Sequence, residues 1–209
     1  MLDDIKLEVE RMLAGRDPGH DFAHVTRVYK TAERIGRKES ADMEILLASA
    51  LLHDIIVYPK GSDKRTKSAD ESAELAEKML AARGWTKDRI DRVSYCIRVH
   101  SYSKNIANPE ILEAKILQDA DRLDALGAIG IARTFSVGGS EMRRFYNPED
   151  PFCKTNRKPE DTRWTVDHFK AKLLKLENTM HTATAKKIAS ERTRFMEAFL
   201  AQLEKEISG

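Results

Sequence analysis

Apolar residues recur along this chain at the three-to-four residue interval of an α-helix almost throughout. Leu2, Ile5, Val9 and Leu13 line one face of a first helix, which the AGRDPG stretch at 14–19 ends. A second helix is predicted from about His20 to Ile35, with Phe22, Val25, Val28, Tyr29, Ala32 and Ile35 on its inner side. Residues 42–55 are apolar nearly all round, as expected of a central buried helix. The stretch from Val57 to Lys67 holds Pro59, Gly61 and the charges Lys60, Asp63, Lys64, Arg65 and Lys67, so it reads as an exposed loop.

Helices follow at about 68–83 and 87–100, with Gly84 suited to stop the first and Thr86 to cap the second. Asn108-Pro109 opens another, running to about Thr134. The pattern then breaks: residues 138–164 carry GGS, the prolines of NPEDP and KPE, and no sustained period. A loop of that length is a functional lid, a dimer arm or an ordered surface segment. Two helices at about 165–178 and 182–206 close the chain. No repeat appears and no alternating run demands a strand, so the fold class is all-α.

Composition narrows the picture. A 209-residue chain buries roughly 70% of its extended surface, enough for one sizeable domain spanning 1–209. Ten glycines and six prolines are fewer than the usual ~12%, which again favours helix. Thirty-six basic against 34 acidic side chains leave a net charge of +2, without the basic field that nucleic-acid binding needs. Charges interrupt every apolar stretch well short of the ~20 residues that span a bilayer, so no membrane partner is expected. The start, MLDDIKLEVERML, is acidic and amphipathic, unlike a signal peptide. Cys96 and Cys153 are too few for a disulfide framework, and a cytoplasmic setting is the expectation.

The candidate chemistry lies at helix ends. The six histidines are His20, His24, His53, His100, His168 and His181. His53 is followed by Asp54 at the end of the most apolar helix, and ILQDADRLDALGAIG sets Asp119, Asp121 and Asp124 in another apolar helix. Carboxylates in such surroundings are costly unless a cation compensates. Arg122 and Arg133 are candidates for that role, as is a divalent ion bound by imidazole nitrogen and carboxylate oxygen. Single helix-end histidines usually cap or satisfy a backbone group, and an isolated His-Asp pair arises by chance. The informative feature is the order: a helical histidine, then His-Asp, then aspartate on a third helix.

That order, His24 in GHDFAHVTRV, His53-Asp54 in ALLHDI and Asp121 in DADRLDALG, resembles the HD-domain phosphohydrolase superfamily. The resemblance to the core covers about residues 20–135. FYNPEDP and HFKAKLLKLENTMHTATAK extend it toward a bacterial branch of small single-domain HD proteins that includes nucleotide pyrophosphohydrolases. It implies an HD-domain helical bundle with a long loop and two C-terminal helices. It also implies one divalent ion (Mn, Mg, Co, Fe, Zn or Ni) on His24, His53, Asp54 and Asp121.

Asp121 is preferred to Asp119 because Ala120-Asp121-Arg122-Leu123 matches the family's final motif. Residues two apart on a helix point about 200° from each other, which leaves Asp119 as a supporting or structural carboxylate. His20, four residues before His24, touches substrate, supports the site or caps the helix. By the resemblance His100 contacts phosphate or acts as general acid, and Asp54 also helps orient the attacking water. Arg27, Lys64, Arg65, Lys67 and Arg122 are candidate cations for charge that develops on the phosphoryl oxygens.

Tyr102, Phe145, Tyr146, Asn147 and Trp164 are candidates for base recognition. The expected function is hydrolysis of a phosphate ester or anhydride, with a (d)NTP-like nucleotide as substrate and a homodimer as one assembly. The sequence lacks the HDxxE extension, since Ile-Ile-Val follows Asp54, and it lacks a GYP motif; relatives that cleave guanosine tetraphosphate or cyclic dinucleotides carry such additions. A nucleotide-binding regulatory protein with little turnover and a di-iron oxygenase of the same fold are the alternatives.

Overall fold

Asp42 begins the element on which the N-terminal half is built. In the computed structural model, which describes residues 2–16, 21–58, 62–101, 104 and 106–209, its side chain accepts from the amides of Glu44 and Ile45 at 3.2 Å each. This caps helix α3, Met43–Leu52, where every residue from Ile45 onward is buried. The same carboxylate pairs with Arg92 at 3.1 Å, and the buried Glu113 takes both the Asp42 amide (2.8 Å) and Arg92 (3.3 Å). Three helices are thereby tied at one end of α3.

The first compact unit, residues 1–121, contains α1 (Leu2–Met12), α2 (Phe22–Glu39), α3, α4 (Ser68–Ala81), α5 (Lys87–His100) and most of α6 (Leu112–Asp124). α3 packs against α1, α2, α4 and α5, as its continuous apolar surface requires. Its crossing with α2 is close at Gly36, where a Cβ would lie 2.4 Å from a Leu46 methyl. α2 accordingly runs past the expected end at Ile35 and stops four residues later, where Ser40 takes the left-handed turn (φ 58°). Gly36 thus marks a helix contact, not a stop.

The second unit, residues 122–209, holds the end of α6 together with α7 (Gly127–Ser140), α8 (Asp167–Ala171) and α9 (Ala183–Ser208). The single helix expected to reach Thr134 is two: the chain breaks after Asp124 and restarts at Gly127, whose φ of +70° suits glycine. The helix expected at 165–178 is likewise a short α8 followed by a 3-10 segment, Leu173–Thr179. Phe135, Phe169 and Phe199 form an aromatic core with centroids 6.1–6.4 Å apart. No strand occurs among the described residues, only an isolated bridge between Arg144 and Trp164, so the all-α expectation holds.

The irregular stretch begins after Ser140 and is internally braced. Arg157 grips the fully buried Asp167 carboxylate with bonds of 2.5 and 2.8 Å, and Asp167 also accepts from the Glu160 amide. Asp150 accepts from the amides of Lys154 and Thr155 and from the Thr155 hydroxyl. Burial would raise the Asp150 carboxyl, but these donors bring it down to about 2, and Asp167 is also held below the ordinary range.

Both carboxyls have depressed folded-state values. Their contribution is therefore present above the unfolded value near ~3.9 and is lost as pH falls through the folded values. Chemical unfolding between pH 6 and 2 should show stability falling through this window, with a shallower fall in Asp150→Asn. Arg157→Met, which strands the buried Asp167 charge, should lose about 3 kcal/mol at neutral pH. An unchanged denaturation midpoint in that variant would show that the ion pair does not hold the segment.

Candidate metal centre

Four helix ends deliver one cluster of nitrogen and oxygen atoms. His24 stands in the first turn of α2, its amide held by the capping carboxylate of Asp21 at 2.9 Å. His53 and Asp54 form the turn that follows α3, His100 is the last residue of α5, and Asp121 lies near the end of α6. All are in the first unit.

The imidazoles of His24, His53 and His100 are 1, 0 and 4% exposed, whereas the side chains of Asp54 and Asp121 keep 18 and 27%. The histidines are thus set in the protein, with the carboxylates at the open side.

Hydrogen bonds fix what each ring presents. His53 donates from Nδ1 to the carbonyl of Ala50 at 2.9 Å, one helical turn back, which leaves Nε2 as the nitrogen facing the cluster. That nitrogen lies 3.3 Å from His24 Nε2 and 3.7 Å from Asp54 Oδ2. His24 Nε2 is in turn 3.9 Å from Asp54 Oδ2 and 3.5 Å from Asp121 Oδ1. Burial drives His53 down to about 4, so its ring is neutral at physiological pH. Burial alone would push Asp54 up, but His53, His100 and His24 around it hold it well below the usual carboxylate range.

A divalent cation fits this donor set. Nitrogens each ~2.0–2.1 Å from one ion, in neighbouring positions of its shell, lie roughly 3.0–3.4 Å apart. The two Nε2 atoms have that spacing, and anionic oxygen flanks them. Neutral imidazole plus carboxylate is a borderline-to-hard set. The atoms of His24, His53 and Asp121 all approach within 4.8 Å of one another, as do those of His53, Asp54 and His100.

His100 is held differently. Its Nδ1 donates to the carbonyl of Ile97 at 2.6 Å, and its Nε2 faces Asp54 Oδ1 at 3.4 Å. Both ring nitrogens therefore face acceptors, the arrangement of an imidazolium. Burial would lower its pKa, but the bond and charge of Asp54, with the charge of Asp121, raise it.

The remaining sequence candidates have varied positions. Arg27 is half-buried on α2, three residues beyond His24. Lys64, Arg65 and Lys67 are exposed: Lys64 lies over the Tyr58 ring, and the other two bound the 3-10 turn that leads into α4. Asp119 is fully buried on α6, two residues from Asp121. Arg122 is 8% exposed and donates from Nη1 to the carbonyl of Thr179 at 2.7 Å. Asp124 is paired with Arg133 at 2.6 Å.

Of the aromatic candidates, Trp164 is buried, whereas Phe145 is exposed and packs edge-on against Phe135. Asn147 accepts from the amide of Glu149. His20 and Tyr102 lie outside the described residues.

Two contributors carried no sequence signal. Arg16, which the sequence places in a helix-ending stretch, donates to the carbonyls of Asp54 (3.4 Å) and Ile55 (2.8 Å) and so clamps the turn that bears the His-Asp pair. Gln118, one turn before Asp121, donates to the carbonyl of Val99 at the end of α5 and to that of Ile106 beyond it. Both act on main-chain atoms whose positions only the folded chain defines.

Comparison with known proteins gives this geometry a family. The HD domain model matches residues 21–126, and the chain belongs to the HD-domain family. The uncharacterized protein YpgQ of Bacillus subtilis is 38% identical over 210 residues, covering 99% of this chain and 94% of YpgQ. The crystal structure of YpgQ in complex with ADP is similar at a TM-score of 0.77 and 36% identity, covering 100% of this chain and 95% of that one. An HD-superfamily hydrolase from Bacillus thuringiensis matches at a TM-score of 0.77 and 32% identity, over 100% and 97% of the two chains. HD domains bind divalent metals, in keeping with the donor groups found here. No helix among the described residues is long and apolar enough to cross a membrane.

Metal binding should be visible as stability. Adding Mn²⁺ to chelator-stripped protein at about 100 times its dissociation constant should stabilise it by ~2.7 kcal/mol and raise the melting temperature. His53→Ala and Asp121→Ala should abolish that rise, and Asp119→Ala should retain it. A rise that survives Asp121→Ala but vanishes in Asp119→Ala would reverse the assignment of the two aspartates.

Proposed function

We propose that the chain is a metal-dependent phosphohydrolase acting on a nucleotide, with a (d)NTP-like phosphoanhydride as substrate. The observation that carries this reading is the division of Asp54: one oxygen faces the paired Nε2 atoms of His24 and His53, and the other faces His100. The reading is supported by the HD-superfamily hydrolase among its relatives and by the ADP bound to YpgQ.

A single divalent ion held by His24, His53, Asp54 and Asp121 would supply Lewis acidity and an activated water. The chain's own residues do the rest. Asp54 accepts a proton-bearing group at Oδ1 and keeps His100 aligned beside the ligand set. His100, with acceptors at both nitrogens, holds the proton that the leaving oxygen needs. Arg27, one turn from His24 on α2, would offset charge on the phosphoryl oxygens. The exposed Lys64 and Lys67 would meet outlying phosphates, leaving the anionic cluster for the bond that breaks.

The test is product release from nucleoside triphosphates, diphosphates and simple phosphomonoesters, on stripped protein with Mn²⁺, Mg²⁺, Co²⁺, Zn²⁺, Fe²⁺ or Ni²⁺ restored. Pyrophosphate from a (d)NTP is the expected result, and His100→Ala should bind metal normally while turnover falls about 10²–10⁴-fold. Phosphate from monoesters alone would replace the nucleotide with a smaller substrate. Metal binding without any hydrolysis would overturn the enzyme reading in favour of a regulatory one.

A further inference from the structure

Gln118 is a fully buried amide on α6, where Ala114, Leu117 and Ala120 are equally buried. A leucine or methionine would fill the same space without the cost of taking an amide out of water. Its Nε2 donates to two backbone carbonyls, Val99 at 2.7 Å and Ile106 at 3.1 Å.

The position of these acceptors is informative. The Val99 carbonyl is among the last of α5, which have no partner within the helix, and it immediately precedes His100. Ile106 lies six residues beyond His100 in the chain. One side chain therefore holds backbone carbonyls that precede and follow His100 in sequence. It does so from a helix whose next turn carries Asp121, on the same face.

The His100 ring is pinned at Ile97 and Asp54, but those bonds set its rotation, not the placement of the helix end beneath it. We infer that Gln118 is a positioning residue: it fixes the end of α5 against α6 so that His100 Nε2 is held on Asp54 Oδ1. This rests on the reading of His100 as the general acid. A displacement of about 1 Å at such a group can lower turnover by 10²-fold, whereas a metal held by other residues would be untouched.

The test is a double-mutant cycle of Gln118→Met and His100→Ala, measured by pyrophosphate release from a nucleoside triphosphate with Mn²⁺. Gln118→Met should lower kcat about 10- to 100-fold, with KM and the Mn²⁺ dissociation constant within about twofold of the parent. In the His100→Ala background the same change should alter kcat by less than about twofold, because the group it positions is gone. Gln118→Asn keeps the amide but withdraws it by one methylene and should show a smaller loss in the same direction; it serves the cycle if the methionine variant does not fold.

A readout without turnover is the His100 ring N–H proton in metal-free protein by NMR, protected from exchange in the parent and lost to exchange in Gln118→Met. Full kcat in Gln118→Met, or an equal loss with and without His100, overturns the proposal and leaves the general-acid reading intact. Normal turnover in His100→Ala removes that reading and the proposal with it.

Discussion

The turn after α3 sets two groups with opposing demands side by side. His53 is wholly enclosed and is driven neutral by its burial, while its neighbour Asp54 stays ionised at the edge of the same space. Neither condition is comfortable in a protein interior: a carboxylate without hydrogen-bond donors or a cation costs several kcal/mol. The N-terminal unit answers by bringing the imidazoles of His24 from α2 and His100 from α5 to that turn, with Asp121 of α6 beside His24. The helices are spaced so that their ends, not their middles, meet there.

The scaffold is correspondingly strong at both ends of α3. At its start, Asp42, Arg92 and Glu113 join α3, α5 and α6 through an ion-paired knot. At its end, no basic residue of its own meets the helix dipole, and Arg16 supplies one from the chain after α1, bonded to the carbonyls of Asp54 and Ile55. The helix that leads into His53-Asp54 is thus fixed at both ends. At the His53-Asp54 turn the Nε2 atoms of His24 and His53 meet at 3.3 Å, the spacing of two neighbouring ligands on a small cation. Rigid elements suit such a site better than loops do.

Much of this was legible from residue pattern. The period of apolar residues located α1, α4, α5 and α9 to within about two residues, because each has one buried and one exposed face. It misjudged α2 and the break between α6 and α7 for one physical reason. A glycine in a helical pattern can mark a close crossing, as Gly36 does, or a break between two helices, as Gly127 does, and only the neighbour decides. At the site, His53-Asp54 stood out as polar groups at the end of an apolar helix, while His24, His100 and the choice of Asp121 over Asp119 came from the family resemblance, and the fold brings those five together. Arg122 was a further candidate, and its Nη1 donates to the carbonyl of Thr179. Arg16 and Gln118 were invisible because their partners are backbone atoms distant in sequence.

The central claim is that one cation is held by two imidazoles and two carboxylates, with the third imidazole reserved for the substrate. Pulsed electron paramagnetic resonance on the Mn²⁺-loaded protein counts the histidine nitrogens coupled to the ion. Two coupled imidazoles, staying at two in His100→Ala, is the result this account predicts. Three coupled imidazoles, with one lost in His100→Ala, would contradict it by making His100 a ligand.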